Sequence, residues 1–158
     1  MCNVEHVNDL TAQEKDNLLS IWNAEYPTRL CMPGITEFND YLGTLINPDY
    51  FLLKDKDSAV IGWATLFSVG GIRCFFIMLK GAWHGRGYGT QLLNALKARE
   101  DTLFGWAVDH DNDVKADGRP YLSPINFYRK NDFVVNSDLR LETDVLSAVN
   151  IIWRASAP

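Results

Sequence analysis

Three glycines within five residues, Gly85, Gly87 and Gly89, stand between an apolar run, Ile72 to Leu79, and a segment of helical periodicity. That segment carries Leu92, Leu93 and Leu96, followed by Lys97 and Arg99. A strand that hands over to a helix in this way leaves the first helical amides without intrahelical acceptors, at the electropositive end of the dipole. Glycine permits the turns and the close backbone approach that a Cβ would block. Trp83 to Leu93 therefore reads as a cradle for an anion, a phosphate or pyrophosphate, against the plainer alternative of a turn with no ligand. A Walker loop is excluded, because no lysine and hydroxyl follow the glycines in the GxxxxGK[ST] register. A dinucleotide fingerprint is incomplete: Gly85-x-Gly87-x-x-Thr90 lacks the third glycine and lies mid-chain rather than after a first strand.

The surrounding patterns predict a mixed α+β chain. Asn3 to Val7 reads as a short strand, and Thr11-Ala12-Gln13-Glu14 as a capping box opening a helix that stops before Pro27. Thr36 is expected to cap a second helix with Phe38, Tyr41, Leu42, Leu45 and Ile46 inward, ended by Asn47-Pro48. Tyr50–Lys54, Ala59–Phe67 and Ile72–Leu79 read as an antiparallel meander, with Gly62 marking a bulge or a close approach. A helix over Tyr88–Arg99 and a fifth strand over Leu103–Val108 follow. Ser123-Pro124 reads as N-cap and first helical position of a helix running to Lys130. Phe133–Val135 with Leu139–Leu141 forms an interrupted sixth strand, and Ala148–Trp153 a seventh.

At 158 residues, residues 1–158 read as one domain. Twenty Asp and Glu against fifteen Lys and Arg give a net charge of −5, which argues against nucleic acid as the main partner, since phosphate contacts need clustered cations. No 18-residue apolar stretch offers a membrane span, and the N-terminus lacks a basic-then-apolar secretory pattern. Cys2, Cys31 and Cys74 are odd in number and scattered, as expected for reduced thiols in the cytoplasm.

The pattern [QRH]-x-x-G-x-[GA], read as His84-Gly85-Arg86-Gly87-Tyr88-Gly89, resembles the acyl-CoA pyrophosphate loop of the GCN5-related N-acetyltransferase (GNAT) superfamily. His84 stands where Gln or Arg is usual. A second segment, Asn126-Phe127-Tyr128-Arg129-Lys130-Asn131-Asp132-Phe133, is similar to the family's A-x-x-[FL]-Y-x-K-x-G-F, with Asp132 in place of glycine. Asp tolerates positive φ better than most residues, so that turn is retained. The order of elements is also the family's. The resemblance implies a GNAT-like fold: a central, mostly antiparallel seven-stranded sheet, about four flanking helices, and a splay between the fourth and fifth strands.

The resemblance further implies an N-acetyltransferase that uses acetyl-CoA, without a metal, to acylate a primary amine of a small molecule or peptide. His84, Gly85, Arg86, Gly87, Tyr88, Gly89 and Thr90 would hold the pyrophosphate, Ile77, Met78 and Leu79 would pair with pantetheine, and Asn126 joins the cofactor-binding set. Tyr128 would be the general acid to the departing thiolate. Dimers are common among relatives, and Ile151-Ile152-Trp153 could pair across an interface or be ordinary core.

The fourth-strand glutamate that serves many relatives as general base is absent; Ile72 to Leu79 holds no carboxylate. Asp109 and His110 after the fifth strand are candidates, as is the bend carrying Glu25 and Tyr26, which lines the acceptor side in relatives. The loop from Asp109 to Pro120 begins like an EF-hand, but Val114 and Pro120 stand where glycine and glutamate are required. Its four aspartates, Asp111 among them, would attract an ammonium group, or the loop is simply solvated. The competing reading is a non-catalytic acyl-CoA-binding or sensing module of the same fold.

Overall fold

The computed structural model describes residues 1–156. The elements, in order, are β1 (Asn3–Val7), α1 (Ala12–Glu25), α2 (Ile35–Gly43), β2 (Ile46–Lys54), β3 (Val60–Val69) and β4 (Ile72–Leu79). There follow α3 (Tyr88–Lys97), β5 (Thr102–Ala107), α4 (Ile125–Lys130), β6 (Val134–Glu142) and β7 (Ser147–Arg154). The seven strands form one sheet in the order β1-β2-β3-β4-β5-β7-β6. Every neighbouring pair is antiparallel except β4 and β5, which are parallel and share a single registered pair, Cys74 with Phe104. Beyond that pair the two strands diverge.

Alternation along β4 sorts its side chains between two cores. Phe75 joins Leu92, Leu93 and Leu96 of α3, Tyr128 of α4, and Phe133 on one face. Met78 and Phe76 join Trp22 of α1, Phe38 and Leu42 of α2, and Trp63 on the other. Trp63 is fully buried, ringed by Phe76 at 5.1 Å, Phe38 at 6.1 Å and Trp22 at 6.5 Å. Among the described residues no helix is long and apolar enough to cross a membrane.

The capping box is present in both directions: Glu14 N–H donates to Thr11 Oγ1 at 3.1 Å, and Thr11 N–H to Glu14 Oε1 at 2.9 Å. Gly70 and Gly71, both at positive φ, close the β3–β4 hairpin. Gly62 marks a close approach, since a Cβ there would lie 2.8 Å from Leu79 Cδ1 and 3.0 Å from the Met78 carbonyl oxygen. Asp132 adopts φ 68°, taking the left-handed turn that glycine usually supplies.

Three expectations are corrected, and one open alternative is decided. Gly34, not Thr36, is the N-cap of α2, so Thr36 lies inside the first turn. That helix ends at Gly43, and β2 begins at Ile46, which is exposed rather than inward. Asn47 at φ 50° makes a bulge there, and Pro48 falls where the ladder is already broken. Pro124 rather than Ser123 takes the N-cap position of α4; the Ser123 hydroxyl donates to the Val108 carbonyl and accepts the Ile125 N–H only at 3.4 Å. Finally, β7 is paired on both sides, by β5 and β6, and Ile151 is fully buried, so this strand is core and has no free edge for a second copy.

Candidate active site

The divergence of β4 from β5 opens a cavity of about 500 Å³. Its floor is Ile77, Met78 and Leu79, where β4 has no partner strand on the β5 side, leaving backbone groups free along that edge. One end is the loop before α3. Gly85 and Gly87 have φ of 75° and 86°, a region L side chains rarely enter. Gly89 is needed for space instead, since a Cβ would lie 2.9 Å from Phe127 Cζ. The first backbone bond of α3 runs from Gln91 N–H to the Gly87 carbonyl, and no side chain caps the helix. The amides of Tyr88, Gly89 and Thr90 therefore have no acceptor within the helix, and Gly89 and Thr90 line the cavity. His84 Nε2 lies 2.8 Å from the Leu79 carbonyl oxygen, tying the loop to the end of β4.

Tyr128 forms the opposite wall. It is buried against Phe127, Phe133 and Phe75, at centroid distances of 5.2, 5.3 and 6.0 Å. Burial, with a smaller contribution from Tyr121, raises its phenol well above the ordinary value, so it remains protonated at neutral pH. Burial pushes Tyr121 up to about 12, and Tyr26 is raised as well by burial and by Tyr121 and Tyr128. Three protonated phenols thus share one wall.

The far end holds Glu25, the one carboxylate lining this cavity among the described residues. Its Oε2 accepts the Gly81 N–H at 3.0 Å and its Oε1 accepts Lys115 Nζ at 2.9 Å. Glu25 and Tyr26, at the end of α1, both line the cavity. The Asp109–Pro120 loop is a small hairpin, with Lys115 N–H bonded to the Arg119 carbonyl and a bridge between Val114 and Pro120. It is pinned across the α1–α2 bend: Arg29 reaches Asp113 at 2.6 Å, and Thr28 donates twice to the Val114 carbonyl, each at 2.8 Å.

Several expected site residues lie elsewhere. Asp109 does not line the cavity; Arg140 grips its two oxygens at 2.8 and 3.0 Å and holds the carboxyl below the usual range, which removes it as a base. His110 also lies off the cavity, with Nδ1 accepting the Asn112 N–H. Asp111 accepts the Ser123 N–H at 2.7 Å and fastens the loop rather than facing an acceptor. Asp113 answers Arg29 and Asp117 the Arg119 amide, and none of the four aspartates lines this cavity. Arg86 stacks over Trp83 at 5.3 Å, Tyr88 packs on the same ring at 5.6 Å, and Asn126 is exposed on α4, so these three also leave the cavity lining to their neighbours.

Lys115, Tyr121, Leu122 and Gly81 were not anticipated. The Asp117-Gly118 dipeptide signals a hairpin tip, but nothing local says which distant segment that hairpin meets.

A family model described as the acetyltransferase (GNAT) domain matches residues 47–135. No curated protein sequence matches the chain. The fold is similar to that of an aminoglycoside 6′-N-acetyltransferase complexed with coenzyme A, at 12% identity and TM-score 0.73, covering 99% of each chain. It is similar to a phosphinothricin acetyltransferase from Sinorhizobium meliloti in complex with AcCoA, at 15% identity and TM-score 0.67, over 98% of this chain and 88% of that one. An N-acetyltransferase from Staphylococcus aureus Mu50 matches at 18% identity and TM-score 0.63, over 96% of this chain and 98% of that one.

Proposed function

This chain belongs to the GNAT acetyltransferase family, and on that premise we propose that it transfers an acetyl group from acetyl-CoA to a primary amine of a small molecule or peptide. The observation that carries the reading is the convergence on one cavity of the unpaired β4 edge, the acceptor-free amides opening α3, and the phenol of Tyr128. The loop from His84 to Thr90 fits a pyrophosphate: its amides are donors, and Gly85 and Gly87 provide the left-handed turns that aim them. Backbone groups of Ile77 to Leu79 fit the amide-bearing arm of the donor and fix the thioester between amine and acid. An N–H of that edge stabilises the oxygen as negative charge grows on it. The amine nitrogen forms a bond to the acetyl carbon, the C–S bond breaks, and the Tyr128 hydroxyl gives its proton to the departing sulfur. Its burial keeps the phenol protonated, so it is available as the hydrogen-bond donor to that sulfur. Glu25 orients the acceptor, which gives one ammonium proton to water before it attacks; the proton that the nitrogen releases as the amide forms restores Tyr128 through water.

Thermal unfolding with acetyl-CoA at a hundredfold over its dissociation constant tests the donor assignment. Binding of that kind stabilises by about 2.7 kcal/mol, raising the melting temperature of a domain this size by about 5–10 °C. ATP and NAD should give no such shift; an equal shift with either refutes the loop assignment. Tyr128→Phe is expected to keep the shift and lose turnover by about 10²–10⁴-fold. A second reading, a non-catalytic acyl-CoA-binding module, has one observation on its side: both oxygens of Glu25 are already engaged. It predicts the acetyl-CoA shift with no thiol release from any amine.

A further inference from the structure

The Glu25–Lys115 pair borders a second cavity as well as the first. This outer cavity, of about 370 Å³, is lined by Glu25, Gly81, Lys115, Asp117 and Arg119 among others. The ion pair is thus the partition between an outer chamber open to the hairpin tip and the inner chamber that holds Tyr128 and the β4 edge. The partition is built rather than incidental. Glu25 and Lys115 side chains are only 15% and 20% exposed, and the missing Cβ of Gly81 leaves the carboxylate room to lie 3.4 Å from where that atom would be.

We propose that the acceptor is a small zwitterion, an amino acid with its ammonium and carboxylate on one carbon or on neighbouring ones, recognised by opening the Glu25–Lys115 pair. The proposal rests on the acetyltransferase reading above and deepens it. A cation alone, replacing Lys115 at Glu25 Oε1, would strand the lysine ammonium in a largely enclosed site, and an unpaired buried charge is strongly unfavourable. A ligand that brings both charges leaves none unpaired: its ammonium takes Glu25 and its carboxylate takes Lys115. The outer chamber is also charge-balanced, with Glu25 and Asp117 against Lys115 and Arg119, so it offers no excess negative charge to a polycation. Arg119 lines only the outer chamber and Tyr128 only the inner one, which places the carboxylate outward and the nitrogen inward, toward Tyr128.

The test measures thiol release from acetyl-CoA with each common L-amino acid and, separately, with its decarboxylated amine. The expected result is at least one amino acid whose kcat/KM exceeds that of its own amine by about 10-fold or more, the range set by a charge-assisted hydrogen bond. Lys115→Met should shrink that ratio toward one, mainly by raising KM for the amino acid. Amines that match or outperform their amino acids overturn the proposal, as does a chain that acetyl-CoA stabilises but that acetylates no amino acid. A Lys115→Met protein that loses amino acid and amine equally also overturns it, because a lysine that merely braces the hairpin would do that. The wild-type ratio needs no variant to fold. A chain that acetyl-CoA fails to stabilise refutes the acetyltransferase reading before any acceptor is added, so the two failures are distinct.

Discussion

Gly105→Ala probes the aromatic support of Tyr128 without touching the cavity. Gly105 lies in β5, and a Cβ there would sit 2.7 Å from Phe75 Cε1, 3.1 Å from Cζ and 3.2 Å from Cδ1. All three atoms belong to one edge of one ring, so a small rotamer change does not clear the clash. The ring has little room to retreat, with Phe133 at 5.4 Å and Tyr128 at 6.0 Å. Overpacking of this kind costs about 1–3 kcal/mol, and the lower entropy of alanine in the unfolded chain offsets about 0.4–1 kcal/mol. The net loss is about 1–2 kcal/mol, or about 2–8 °C in melting temperature. Urea unfolding and calorimetry read the stability. Because Phe75 buttresses Tyr128, kcat should fall more than KM for acetyl-CoA rises. Adding Phe75→Leu vacates the contested edge, and the double mutant should recover about 1 kcal/mol relative to the sum of the singles. A Gly105→Ala protein as stable as wild type, or strictly additive effects, would refute the claim that this ring edge is the obstacle.

Gly87→Ala should cost about 1–2 kcal/mol through backbone conformation alone, since φ is 86° and nothing lies within 4 Å of the added Cβ. Gly43→Ala, equally uncrowded but without positive φ, should be neutral or stabilising, and equal urea midpoints for the two variants would sink the strain argument. Arg140 hydrogen-bonds Asp109 and holds its carboxyl below the ordinary 3.8, so the stabilisation it lends is complete above that value and is lost as pH falls through the folded-state value. The stability gap between wild type and Arg140→Gln, measured by urea unfolding, should therefore be constant near neutrality and narrow on acidification below about pH 4; a gap that ignores pH would contradict the pairing.

The parts of this protein legible in sequence are those governed by near neighbours along the chain. The capping box at Thr11, the Gly70-Gly71 hairpin, the alternation of β4 and the glycine loop before α3 each depend on residues a few positions apart. Tyr128 was legible for a similar reason, through a short segment whose helix and turn are local; Asp132 even occupies the left-handed position that segment requires. The helix-to-strand change between Leu42 and Ile46 was misjudged because a left-handed Asn47 lets the strand begin where the apolar pattern still resembles a helix.

The acceptor side was decided only in three dimensions. A loop aspartate reads the same whether it faces solvent, a ligand or an arginine, and its partner settles the matter. Asp109 finds Arg140, and Asp113 finds Arg29, 84 positions away in the chain. Glu25 meets Lys115 across 90 positions. Such pairs leave no periodic or spacing signature, because their proximity follows from how the sheet and the α1–α2 bend close on each other. The sequence by itself therefore determined the glycine turn before α3 and the helix and turn that carry Tyr128. Tertiary packing determined which charges meet at the far end of the cavity.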